Sequence, residues 1–132
     1  MIRDLLKRWA QVEPGRCGSY QNDLNQALMY EVLMSMSIGR SPQWVVIGSF
    51  ANIESMSGLA SLQSALQQAV VAHNFWLRLE YSKSGWKSIV LRDNGGVSSF
   101  PCEQDEEPAI ALLKSYVSCL ESQEARHEGE GL

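Results

Sequence analysis

Apolar positions along this chain follow two periods, and the change between them marks out the elements. Ile2, Leu5, Leu6 and Trp9 recur at helical spacing with Arg3, Asp4, Lys7 and Arg8 on the opposite side. This predicts a short amphipathic helix over residues 2–11. Glu13 to Gly18 contains a proline and two glycines and predicts a loop. Asn22 or Asp23 can cap a second helix, whose face is Leu24, Ala27, Leu28, Val32 and Met36, thickened by Tyr30, Leu33 and Met34. Gly39 in a left-handed C′ position and the following Pro42 close it, giving a helix over 22–38. Its methionines suit either an adaptable groove or a core, and the helical spacing favours core. Gln43 to Phe50 is short, β-branched and aromatic, and predicts a buried strand over 43–50.

The rest of the chain predicts an α-β-β-β-α unit over 57–122. Ser57 is the expected cap, and Leu59, Leu62, Leu66, Ala69 and Val70 trace one helical face, with Asn74 at the exit. The strand that follows alternates, with Phe75, Leu77, Leu79 and Tyr81 inward and Trp76, Arg78 and Glu80 outward. Ser82 to Gly85 turns the chain into a second strand from Trp86 to Arg92. Asp93-Asn94-Gly95-Gly96 is a hairpin signal, and Val97 to Pro101 is the expected third strand. Asp105, Glu106 and Glu107 place negative charge at the start of the closing helix, where the helix dipole is positive, and Pro108 suits its first turn. Ile110, Leu113, Val117 and Leu120 form its stripe. Residues 123–132 are polar and are expected to form a disordered acidic tail. The expected fold is α+β: a single domain over 1–122 with an antiparallel four-stranded sheet and helices packed mainly on one face.

Composition narrows the function. The 132 residues suit one domain, and 45% hydrophobic content supplies a core without disulfides or metal. No apolar run approaches the roughly 18–20 residues of a membrane span, and the first residues lack the apolar stretch of a secretory signal. A cytoplasmic location is expected. Three cysteines, none in a CxxC pair, fit a reducing compartment. The net charge is −4, yet residues 1–102 carry +2 and residues 103–132 carry −6. The acidic end either solubilises the chain or meets a partner, and it disfavours nucleic acid, whose affinity rests mainly on Lys and Arg.

Candidate chemistry is thin. His73 and His127 show no metal-ligand spacing, so no metal or cofactor is expected. Cys17 beside Arg16 would need a base, and only His73 is nominated. GxSxG, P-loop and GxGxxG motifs are missing from the sequence. No catalytic residue is therefore assigned. The α-β-β-β-α order is similar to that of double-stranded-RNA-binding domains, which place lysines at the start of the closing helix. Here Asp105, Glu106 and Glu107 stand there and would repel phosphate. The outward face of the meander, Trp76, Arg78 and Glu80 with Trp86 and Lys87 on the next strand, offers residue types enriched in interface hot spots. Together with Asp105, Glu106 and Glu107 these form the candidate partner-binding set. The competing reading buries Trp76 beneath the N-terminal helix beside Trp9.

Ala72-His73-Asn74 ending a helix, Phe75-Trp76-Leu77-Arg78-Leu79, Trp86 and Val90 on the next strand, and Glu107 to Leu113 opening the last helix together resemble the small "ABA sandwich" domains of phage and prophage proteins. The resemblance covers about residues 62–120 and transfers no functional residues. It implies a small accessory protein of a phage or mobile element. The expected function is non-enzymatic, stoichiometric binding of a host or phage protein, such as inhibition of a host defence system like CRISPR-Cas. The alternative is a nucleic-acid-binding regulator of the RNA-binding-domain type. A homodimer through the Met-rich second helix or an uncovered strand edge stays open.

Overall fold

A computed structural model describes residues 2–21, 28–35, 39–49, 55–91 and 102–130, with side chains described as far as residue 121. The order is α1 (Ile2–Val12), β1 (Cys17–Gln21), β2 (Leu28–Met34), β3 (Gln43–Ser49), α2 (Met56–Ala72), β4 (Trp76–Ser82), β5 (Gly85–Leu91), β6 (Cys102–Asp105) and α3 (Pro108–Glu130). The fold is α+β. Among the described residues, six strands form two antiparallel three-stranded sheets, ordered β1-β2-β3 and β4-β5-β6, rather than the single four-stranded sheet the sequence suggested.

The difference originates in Leu28–Met34. The run Leu-Met-Tyr-Glu-Val-Leu-Met satisfies a helical period and a strand period equally, since it is almost continuously apolar. It adopts the strand: Tyr30, Val32 and Met34 are buried, and Met29, Glu31 and Leu33 alternate with them. The helix expected over 22–38 is therefore absent across 28–34; residues 22–27 and 36–38 lie outside the described residues. Cys17 and Gly18, expected in a loop, begin β1 and pair with Val32 and Glu31. Gly39 does take a positive φ of 83°, but in a turn following a strand. β3, expected to be buried, is a sheet edge with Trp44 and Val46 each 44% exposed. Its neighbour Phe50 lies outside the described residues.

The α-β-β-β-α order holds. Ser55, not Ser57, caps α2, its Oγ accepting the Gly58 N–H at 3.2 Å. Asn74 ends the helix at φ 58°, and the Phe75 N–H to Val70 O and Asn74 N–H to Val71 O bonds complete a Schellman motif. Gln68 clamps Ser35 at the end of β2: Oε1 accepts the Ser35 N–H at 2.7 Å and Nε2 donates to its carbonyl at 3.1 Å. β4 and β5 meet at a two-residue turn closed by the Ser82–Gly85 pair. Gly85 sits at φ 112°, and a Cβ there would lie 2.8 Å from the Asp105 carbonyl oxygen, so the turn and the β5–β6 approach both require glycine. The third strand is Cys102–Asp105, later than expected; residues 97–101 lie outside the described residues. Tyr81, expected inward, is 72% exposed. The backbone of α3 runs to Glu130, through most of the expected tail.

Helices separate the two sheets. α1 lies against β1, and α2 against β2 and β3. α3 lies on β5 and β6 and packs along both α1 and α2. Ala109 to Leu113, Tyr116, Val117, Cys119 and Leu120 are all buried, so most of the described part of this helix is enclosed, leaving a half-buried strip at Lys114, Ser118 and Glu121. A bidentate pair ties α1 to it, Arg8 Nη2 and Nε meeting the Glu121 carboxylate at 2.5 and 3.1 Å. On its other side the buried Ser88 and Ser115 hydroxyls meet at 2.6 Å.

Candidate functional site

Strand register decides which candidate side chains share a surface. Trp76, Arg78 and Glu80 pair with Leu91, Ile89 and Lys87, so these six lie on one face of the C-terminal sheet. The helix α3 covers the opposite face, where Ser88 and Val90 are buried. Trp76 is 66% exposed, which removes the reading that placed it under α1; Trp9 instead packs edge-on against Tyr116 at 5.8 Å. Arg78 Nε meets Glu80 Oε1 at 2.6 Å on this outer face.

Trp86 and Asp105, grouped with these residues from the sequence, lie elsewhere. They pair with one another on the helix-facing side, and Trp86 packs on Tyr81 with ring centroids 5.2 Å apart. Asp105 accepts the Glu107 N–H at 3.1 Å and the Lys114 ammonium at 3.0 Å. Burial pushes its carboxyl up, but these donors outweigh it and hold the group below its ordinary value. Glu106 and Glu107 are exposed in the bend before α3.

The N-terminal sheet has a second outer face that sequence reasoning missed. Tyr20 pairs with Met29, Leu33 with Trp44 and Glu31 with Val46, all on the side away from Tyr30, Val32 and Met34. Among the described residues, Tyr20, Met29, Leu33, Trp44 and Val46 thus form an apolar stripe whose single charge is Glu31. Tyr20, Trp44 and Val46 are the exposed members, at 40%, 44% and 44%.

A polar cluster also joins three distant segments. Glu13 Oε1 accepts from Trp9 Nε1 at 2.9 Å and from the Tyr116 hydroxyl at 2.6 Å. Its Oε2 meets His73 Nε2 at 2.5 Å and lies 3.6 Å from Arg16 Nε. His73 stacks on Phe75 with centroids 4.9 Å apart. With four partners this carboxylate is saturated, and it fixes the α1–β1 corner to α2 and α3. Burial raises the Tyr116 hydroxyl, and its bond to Glu13 raises it further. Cys17 beside it is buried, and its Sγ faces the Leu6 carbonyl at 3.7 Å. Burial, then the charges of Glu13 and Glu31, push the thiol up to about 12, which keeps it protonated near neutral pH and a poor nucleophile.

One further concavity, a cleft of 390 Å³, is lined by Asp4, Leu5, Arg8, Glu103, Lys114 and Ser118. Its cations already serve Glu121 and Asp105. Among the described residues no group of three or more His, Cys, Asp or Glu is placed to hold a metal, and no helix is long and apolar enough to cross a membrane. No family model, curated protein or solved structure matches the chain.

Proposed function

We propose that this chain is a non-enzymatic module that binds another protein stoichiometrically, using the outer face of its N-terminal sheet. The observation that carries the reading is the register that lines up Tyr20, Met29, Leu33, Trp44 and Val46 on one partly exposed face. A contiguous apolar surface of this kind marks an interaction site, and Trp and Tyr are the residues that anchor one. The partner it fits is apolar at its centre with a basic group for Glu31. Cys17 is committed to packing and Glu13 to hydrogen bonds, which supports a binding role over catalysis. The resemblance to phage domains supplies the setting: an accessory protein of a phage or mobile element whose target is a host protein, a defence-system component such as CRISPR-Cas among them.

The test is co-purification from a bacterial host of the tagged wild-type chain beside Tyr20→Ser and Trp44→Ser variants, with far-UV circular dichroism confirming that each is folded. A stoichiometric partner held by the wild type and weakened at least tenfold by the variants is expected. Equal retention by all three, or no partner at all, overturns the reading. A gel shift with RNA or DNA at about 50 mM salt, where phosphate contacts are strong, would replace it with the nucleic-acid alternative.

A further inference from the structure

We propose that the protein forms a two-fold dimer by antiparallel pairing of β4 with β4 of a second copy, centred on Leu79. The result is one six-stranded sheet ordered β6-β5-β4-β4-β5-β6. Three observations lead there. β4 is an edge strand, with β5 its only strand neighbour among the described residues. It is seven residues long and unbroken by proline or glycine. Of the registers centred on Arg78, Leu79 and Glu80, only the one on Leu79 sets opposite charges across from one another.

The register argument is geometric. Residues directly opposite in an antiparallel pair point to the same side of the sheet. A two-fold pairing that keeps both helical layers on one side must therefore be centred on a residue, not between residues. Centring on Arg78 sets Arg78 against itself, and centring on Glu80 sets Glu80 against itself. Like charges directly opposite are destabilising. Centring on Leu79 places Arg78 of each copy opposite Glu80 of the other, twice. It also places Leu79 against Leu79, Leu77 against Tyr81 and Trp76 against Ser82, so all seven residues of the strand are paired.

That pairing gives the exposed Tyr81 ring an apolar neighbour in the second copy's Leu77. Edge strands that must stay single commonly carry charges that repel a second strand. Here the two charges have opposite sign and sit one residue either side of the strand centre, so they select a copy of the same strand. The interface is isologous, as a closed two-fold assembly requires. This goes beyond the binding role proposed for the N-terminal sheet and does not depend on it, since β4 and the Tyr20–Trp44 face belong to different sheets.

The experiment is light scattering of the full chain after size exclusion, across a concentration series to about 100 μM. The wild type is expected at twice the 14.7 kDa chain mass. Arg78→Glu and Glu80→Arg each set like charges opposite one another and are expected to weaken the dimer at least tenfold. The double variant Arg78→Glu/Glu80→Arg restores opposite charges and is expected to recover it. Hydrogen exchange of the wild type should show β4 amides gaining protection as concentration rises. A wild type that stays at 14.7 kDa throughout overturns the proposal. So does a dimer indifferent to either single change, or a double variant as weak as the singles. Tyr20 and Trp44 are intact in all four proteins, so partner capture by the N-terminal sheet is scored separately.

Discussion

At the scale of single residues, the buried polar groups separate those that are satisfied in pairs from one that is not. Ser115 Oγ donates to the Leu112 carbonyl at 3.1 Å, which uses its only hydrogen. The 2.6 Å contact with Ser88 must then run from Ser88 to Ser115. Ser115→Ala would strand the Ser88 donor in the core and is expected to cost about 1–3 kcal/mol, whereas Ser88→Ala/Ser115→Ala should lie close to the wild type. Urea midpoints of the two singles and the double check this, and an additive double would refute the pairing. Tyr30 is the contrast: its hydroxyl is buried without a hydrogen-bond partner among the described residues. None of these relations was visible in the sequence. Glu13, His73 and Tyr116 lie 60 and 103 residues apart along the chain and follow no spacing rule.

At the scale of elements, the joint between β6 and α3 depends on pH. Asp105 holds the Glu107 N–H and Lys114, and its folded pKa lies below the ordinary 3.8. A depressed acid contributes fully above its unfolded value and loses that contribution as pH falls through the folded one. Asp105→Asn is expected to be less stable than the wild type at neutral pH by on the order of 1 kcal/mol. The gap should narrow as the pH falls below the ordinary carboxylate range and close once the wild-type carboxyl is itself protonated. Denaturant midpoints of both proteins against pH measure it. The elements α2 and β4 were legible because their periods are unambiguous. β4 alternates through Leu79 and Glu80, and α2 carries its apolar face at helical spacing. Leu28–Met34 was not legible, because an almost unbroken apolar run reads the same in either period. That one ambiguity hid a sheet, and with it the Tyr20–Trp44 face. Trp76, Arg78 and Glu80 were correctly grouped by strand alternation, but Trp86 needed the cross-strand register to be placed.

At the scale of the molecule, everything rests on α3. It touches α1, α2, β5 and β6, and most of its described side chains are buried. The C-terminal sheet packs on this helix directly, and the N-terminal sheet reaches it through α1 and α2. Unfolding is therefore expected to be one cooperative event, with tryptophan fluorescence and far-UV circular dichroism melting together. Leu113→Ala, at a fully buried position, should lower stability by about 2–5 kcal/mol and shift both signals equally. Separate transitions for the two probes would show that the sheets stand alone.

The central position of α3 has a counterpart in time. On the ribosome every described strand emerges before Pro108, so the nascent chain carries the C-terminal sheet with its inner face bare, while α1 and α2 are already available to cover the N-terminal one. Until the closing helix follows, Val90 and the inner face of its sheet have no core to join, and the edge at β4 is open to neighbouring chains. The interval before α3 leaves the exit tunnel is thus the stage at which this protein most depends on chaperones.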